Sequence, residues 1–122
     1  MKIKIICFDL DNTLCETIGN KYTKSRPILK NIKIVNKLYE KGYVIKIYTA
    51  RYMGRSNENQ RLAKKKGYKL TKQQLKKWNI KYHKLIMGKA SYDLIIDDKA
   101  FGYDIDWSKK INKFLIDKIW NI

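Results

Sequence analysis

IKIICFDLDNTL, residues 3–14, carries a largely apolar, β-branched run straight into two aspartates two positions apart. A run that is apolar on both sides marks a central parallel strand, so Asp9 and Asp11 fall at a strand's carboxyl end. Tyr43–Thr49, YVIKIYT, is a second run of the same kind. Between the two, Ile28, Ile32, Val35 and Leu38 or Tyr39 recur at helical spacing, with Pro27 near the start and Gly42 as the stop. That is a βαβ unit, and its crossover is expected to be right-handed.

Downstream, ARYMGRSNENQ (50–60) reads as a polar loop, followed by a short helix over about 58–66 that Gly67 ends. A second helix is expected from Thr71, where Thr71 and Gln74 form a capping box and Leu75 and Trp78 face inward. KLIMG (84–88) and YDLIID (92–97) read as further short strands, the last ending at Asp97 and Asp98. Asp106 then caps a helix through Trp107, Ile111, Phe114, Leu115 and Ile119. The alternation predicts a three-layer, Rossmann-like α/β domain over residues 1–122, with a mostly parallel central sheet of about four strands.

Composition narrows the class. At 122 residues and 44% hydrophobic content, the chain can bury one core without disulfides. IICF and LII are too short to cross a bilayer, and Asp9 and Asp11 interrupt the N-terminal apolar stretch before it resembles a signal peptide, so a cytoplasmic protein without a membrane partner is expected. Cys7 reads as core and Cys15 as an ordinary reduced thiol, and with a single histidine no familiar zinc spacing can be assembled. The net charge of +17 invites a nucleic-acid partner, yet Arg26, Arg51, Arg55 and Arg61 are the only arginines among 28 basic residues. Polyanion recognition leans on arginine's bidentate fork, so the lysines read first as a solvated face.

Sheets of this kind bind ligands beyond the carboxyl ends of their strands. Asp9, Asp11, Thr49, Arg51, Asp97 and Asp98 all fall there. Clustered carboxylates call for a hard cation or a shared proton, and Mg²⁺ suits a few carboxylates completed by water and phosphate oxygens. Thr49 and Lys89 could hold the anion, which makes phosphoryl chemistry the reading of the set. One aspartate of the D-x-D pair could attack phosphorus while the other handles the leaving-group proton.

The ordered motifs Asp9-x-Asp11-x-Thr13, Thr49, Lys89 and Asp97-Asp98 resemble the haloacid dehalogenase superfamily over nearly the whole chain. The resemblance implies Asp9 as nucleophile and Asp11 as general acid/base, with the Asp11 backbone carbonyl on Mg²⁺. It further implies that Asp9 and Asp97 ligate the metal, that Asp98 supports them from behind, and that Thr49 and Lys89 bind the phosphoryl group. Asp11 points to the phosphatase branch. TARYMGRSNEN (49–59) and YHKLIMGKASYDLIIDDKAFG (82–102) are similar to small capless phosphatases of capsular or surface polysaccharide biosynthesis, with Tyr52 and Ala90 as departures.

Thr13, Arg51 and Arg55 are further substrate-binding candidates; Arg51 alternatively pairs with Asp98, and Arg55 could hold a second anionic group of the substrate. Lys84 competes with Lys89 for the phosphate. His83 reads as structural or exposed, Trp78, Trp107 and Trp120 as core, and Tyr22 and Lys24 as part of a flap. The expected activity is a Mg²⁺-dependent phosphomonoesterase with an open site, acting on a phosphorylated sugar or polysaccharide precursor. A partner or second subunit could supply a lid. The alternatives are a nucleic-acid 3′-end phosphatase and a catalytically silent phosphate-binding module.

Overall fold

The computed structural model describes residues 3–120, with side chains through Leu115. Three parallel strands form the sheet in the order β1 (Ile5–Phe8), β4 (Val44–Thr49), β5 (Lys84–Met87). A small antiparallel hairpin, β2 (Cys15–Glu16) with β3 (Arg26–Pro27), stands beside it and carries a 3₁₀ turn over Tyr22–Lys24. The helices are α1 (Leu29–Glu40), α2 (Gln60–Lys77) and α3 (Trp107–Trp120).

The expected βαβ unit is present. Ile32, Val35 and Leu38 of α1 are buried, and Gly42, at φ +96°, ends the helix: the Gly42 amide donates to Tyr39 and the Tyr43 amide to Leu38. This paired return to the last carbonyls needs a left-handed residue, which glycine supplies without a Cβ clash. Asn79 does the same after α2, at φ 56°, with the Ile80 amide donating to Leu75.

Three expectations are corrected. First, one helix replaces the two expected between 58 and 78. Asn59 caps it by accepting the Leu62 amide, and it runs unbroken through Gly67 and Thr71. Gly67 is not a terminator. A Cβ there would lie 2.2 Å from the Tyr52 ring, so its bare backbone is what lets the ring pack against the helix.

Second, residues 92–97 form no strand. Leu94 and Ile96 are exposed, and β1 pairs with β4 alone among the described residues, leaving its other edge open. Gly88, at φ +91°, turns the chain at the end of β5, and Ser91 then binds Glu58 through both its amide and its hydroxyl. Those contacts tie the chain to the turn that leads into α2.

Third, the described residues make two layers where three are expected. With β1, β4 and β5 side by side in chain order, right-handed crossovers send α1 and α2 to the same face. The register agrees: Ile6, Phe8, Ile45, Ile47 and Leu85 share one face, and Phe8, Ile45, Ile47 and Leu85 are buried there with Leu75, Trp107 and Ile111. The opposite face carries exposed Ile5 and Lys84 and half-buried Lys46 and Tyr48. Cys7, expected in the core, is exposed on it.

Trp107 is buried against Phe8, and Trp78 is half-buried against the same core; the Trp120 side chain lies outside the described residues. His83 is structural, as expected: its Nδ1 accepts the Ile45 amide and its ring stacks on Tyr39. Among the described residues no helix is long and apolar enough to cross a membrane.

Candidate functional site

Beyond Phe8 the chain wraps around one carbonyl. The amides of Thr13, Leu14 and Cys15 all donate to Leu10 O, while Asn12 takes a left-handed φ of 62° that asparagine tolerates. Leu10 itself is fully buried. Anchoring the middle residue of D-L-D inward leaves Asp9 and Asp11 to border a cavity of about 480 Å³ at the strand ends, together with Tyr22, Arg51, Lys89 and Tyr92. That volume is in the range of small-ligand sites, roughly 300–1,000 Å³.

Asp9 is half-buried. Its Oδ1 lies 3.6 Å from Lys89 Nζ, and Thr13 Oγ1 donates to its other oxygen at 3.3 Å. Burial pushes its pKa above the ordinary carboxylate value, against the opposing pull of Lys89. Lys89 is set by the β4–β5 ladder, its amide donating to Thr49 O at 3.1 Å. Burial works against its charge, yet hydrogen bonding with Tyr92 and the nearby Asp9 prevail and raise its pKa. Lys84, the competitor, is exposed at the opposite end of β5 and does not border the cavity.

Arg51 borders the cavity, and its ion-pair partner is Asp11 where Asp98 was expected. Its side chain is fully buried and grips Asp11: Nε is 3.1 and 3.0 Å from the two carboxylate oxygens, and Nη2 is 2.9 Å from Oδ1. Nη1 donates to Gln74 Oε1 and Thr71 Oγ1, and Nη2 also reaches Ser25 Oγ. The Thr71–Gln74 pair that reads as a capping box is therefore the polar socket of a buried guanidinium in mid-helix. Gln74 also donates to Tyr22 O and so ties α2 to the hairpin.

Thr17 donates to Asp11 Oδ1 at 2.6 Å, and its hydroxyl is 2.7 Å from that of Ser25. Cys15 lies beneath, its thiol pushed up to about 11 by burial and by the Asp11 charge, so it stays a protonated donor.

Thr49 is buried, and its hydroxyl accepts the Arg51 amide at 3.1 Å; it does not border the cavity where a phosphate-binding hydroxyl was expected. Thr13 likewise acts on Asp9 and does not border the cavity. Asp97 and Asp98 are exposed outside it, with Asp97 Oδ1 accepting the Lys99 amide, because the segment that carries them does not join β1. Among the described residues no three His, Cys, Asp or Glu side chains converge as a metal site.

Arg55 sits on the 3₁₀ turn Gly54–Ser56, over the Tyr22 and Tyr52 rings at 5.5 and 5.1 Å. Asn12, Thr17, Tyr22 and Tyr92 complete the surroundings. Only Tyr22 was singled out from sequence, because a hydroxyl or ring becomes a site residue through neighbours brought from elsewhere in the chain.

The fold and cavity define an α/β protein whose parallel sheet presents a lysine-paired carboxylate and an arginine-clamped carboxylate at its strand ends. No family model and no curated protein matches the chain. The chain is similar in fold to a crystal structure of a target protein from Vibrio cholerae, with a TM-score of 0.75 and 22% identity over 92% of this chain and 98% of that one.

Proposed function

We propose that this chain is a phosphomonoesterase of the haloacid dehalogenase type, with Asp9 as nucleophile. One observation carries the reading: Asp9 directly follows β1 on the cavity wall, half-buried, with Lys89 Nζ 3.6 Å from one carboxylate oxygen. A carboxylate so placed can meet a phosphoryl group while a cation offsets the combined negative charge.

In the first step an Asp9 oxygen bonds to phosphorus as the bond to the leaving oxygen breaks, and that oxygen takes a proton that Asp11 has first drawn from solvent, since Arg51 holds the resting Asp11 as a carboxylate. In the second step a water attacks the phosphorus of the aspartyl phosphate. Asp11 takes the water's proton, the Asp9–phosphorus bond breaks, and inorganic phosphate leaves. Arg51 is a positioning residue in this scheme: it fixes the Asp11 carboxylate and keeps that loop beside Asp9.

The donors present fit Mg²⁺ in part. Mg²⁺ keeps waters and takes one or two carboxylates with substrate phosphate, a role open to the Asp9 carboxylate and the Asp11 carbonyl. Asp97, the third expected ligand, lies on the exposed 92–97 segment. A bound ion would reduce the repulsion between the Asp9 carboxylate and the phosphate. The open cavity suits a phosphorylated sugar or polysaccharide precursor as substrate.

Turnover of an aryl phosphate with Mg²⁺ tests the reading. The wild-type protein should release phosphate and Asp9→Asn should not; equal rates for both would remove Asp9 from the chemistry. A 3′-phosphorylated oligonucleotide turned over faster than sugar phosphates, with binding that weakens steeply in salt, would move the substrate class to nucleic-acid ends.

A further inference from the structure

Tyr22 borders two cavities. On one side is the space beside Asp9, and on the other a second hollow of about 270 Å³, lined by Tyr22, Tyr52, Lys21, Lys24, Asn20 and Arg55 among others. The first balances Asp9 and Asp11 against Arg51 and Lys89. Among the described residues the second is lined by three cationic side chains and no carboxylate.

Arg55 is held in place before any ligand arrives. Its guanidinium lies over both tyrosine rings, the rings themselves are 4.9 Å apart, and Nη2 donates to Asn20 O at 2.7 Å. A guanidinium has five N–H donors, so this one backbone bond leaves others for a ligand. Tyr52 reaches this position through a left-handed φ of 67°, rare for a bulky side chain, and through the gap that Gly67 leaves in α2. Strain of that kind persists where the surroundings enforce it, and here it builds the stack that supports a charge.

We infer that the second hollow binds a phosphate or carboxylate carried on the leaving group of the substrate, with Arg55 as its anchor and Lys21 and Lys24 beside it. The inference rests on the proposed phosphomonoesterase and narrows its substrates to doubly anionic ones, meaning those that carry a second anionic group besides the phosphoryl group to be cleaved. The phosphoryl group to be cleaved sits at Asp9, the body of the leaving group passes Tyr22, and the second anion meets Arg55.

Three probes test it: a hexose 6-phosphate, the matching 1,6-bisphosphate, and the 6-phosphate of the corresponding aldonic acid. Phosphate release gives kcat/KM, and calorimetry with the same compounds gives Kd. The wild-type protein should favour a doubly anionic probe over the monophosphate by about tenfold or more, as a hydrogen bond to a charged group warrants. Arg55→Met, which keeps the stem over the rings, should shrink that ratio at least about fivefold, and Lys24→Met should shrink it less.

A ratio near one that Arg55→Met leaves alone, with aryl phosphate still turned over, would overturn the second site and leave the phosphatase reading standing. Tighter binding of a doubly anionic probe, lost in Arg55→Met but without turnover of any phosphate, would uphold the site and sink the hydrolase. Preference for the bisphosphate alone would assign the site to phosphate, and preference for the aldonic acid alone to carboxylate.

Discussion

Replacing Arg51 with methionine removes a fully buried guanidinium and strands the Asp11 carboxylate, whose side chain keeps 21% exposure. Breaking a buried ion pair by deleting one partner costs about 3–5 kcal/mol, and the remaining solvent contact of Asp11 argues for the lower end. Gln74 Oε1 and Thr71 Oγ1 lose their buried donor as well. Against these losses, the methionine stem recovers part of the packing. The net expectation is a loss of about 3 kcal/mol, a large share of the roughly 5–15 kcal/mol that holds a domain together.

Urea unfolding followed by tryptophan fluorescence reads this directly. With a slope of about 1.5 kcal/mol per molar, the midpoint should fall by about 2 M. The double variant Arg51→Met/Asp11→Asn, which removes the stranded charge, should recover at least half of the loss. A midpoint within about 0.3 M of wild type for the single variant, or a double variant no better than the single, would refute the argument that the guanidinium is there to neutralise Asp11.

Gly67→Ala would ordinarily gain about 1 kcal/mol of helix propensity. Here the new Cβ would meet Tyr52 ring carbons at 2.2 and 2.6 Å, so the thermal midpoint should fall; a rise would show that the ring moves aside freely. For Asp9, whose folded pKa is raised by burial, the native state binds the proton more tightly than the unfolded chain does. Its favourable contribution is therefore present below the ordinary value of 3.8 and is lost as pH rises through the folded pKa. Asp9→Asn should accordingly be more stable than wild type at neutral pH, with the gap closing on acidification, and a constant gap in chemical denaturation across that range would contradict the assignment. Mg²⁺ with a phosphate mimic should slow amide exchange at Leu94–Asp97 if that segment joins the free edge of β1, and unchanged exchange would leave Asp97 outside the site.

Much of the frame was legible in local pattern. The first strand, α1 and β4 follow from runs and spacings within the segment itself, and Gly42 needed only the left-handed backbone that ends a helix. The placement of Asp9 and Asp11 followed from the same strand, because a carboxyl end is a property of one stretch of chain. The misreadings arise where two meanings share one local signal. Thr71 and Gln74 match a helix cap by spacing, and only a guanidinium arriving from twenty residues away shows them to be its acceptors. Gly67 looks like a stop until the Tyr52 ring is seen to occupy the space it leaves. Leu94–Ile96 has a strand's composition, yet a strand needs a neighbour, and the contacts of Gly88 and Ser91 decide where the chain goes.

By itself, then, the sequence determined the parallel βαβ frame and the strand end on which the paired aspartates stand, since backbone preference and side-chain periodicity act over a few residues. Only the tertiary structure decided that Arg51 belongs to Asp11, that Thr71 and Gln74 serve its guanidinium, and that Arg55 rests on two tyrosine rings. Those choices depend on distances through space between segments far apart in the chain, where charge and burial are settled together.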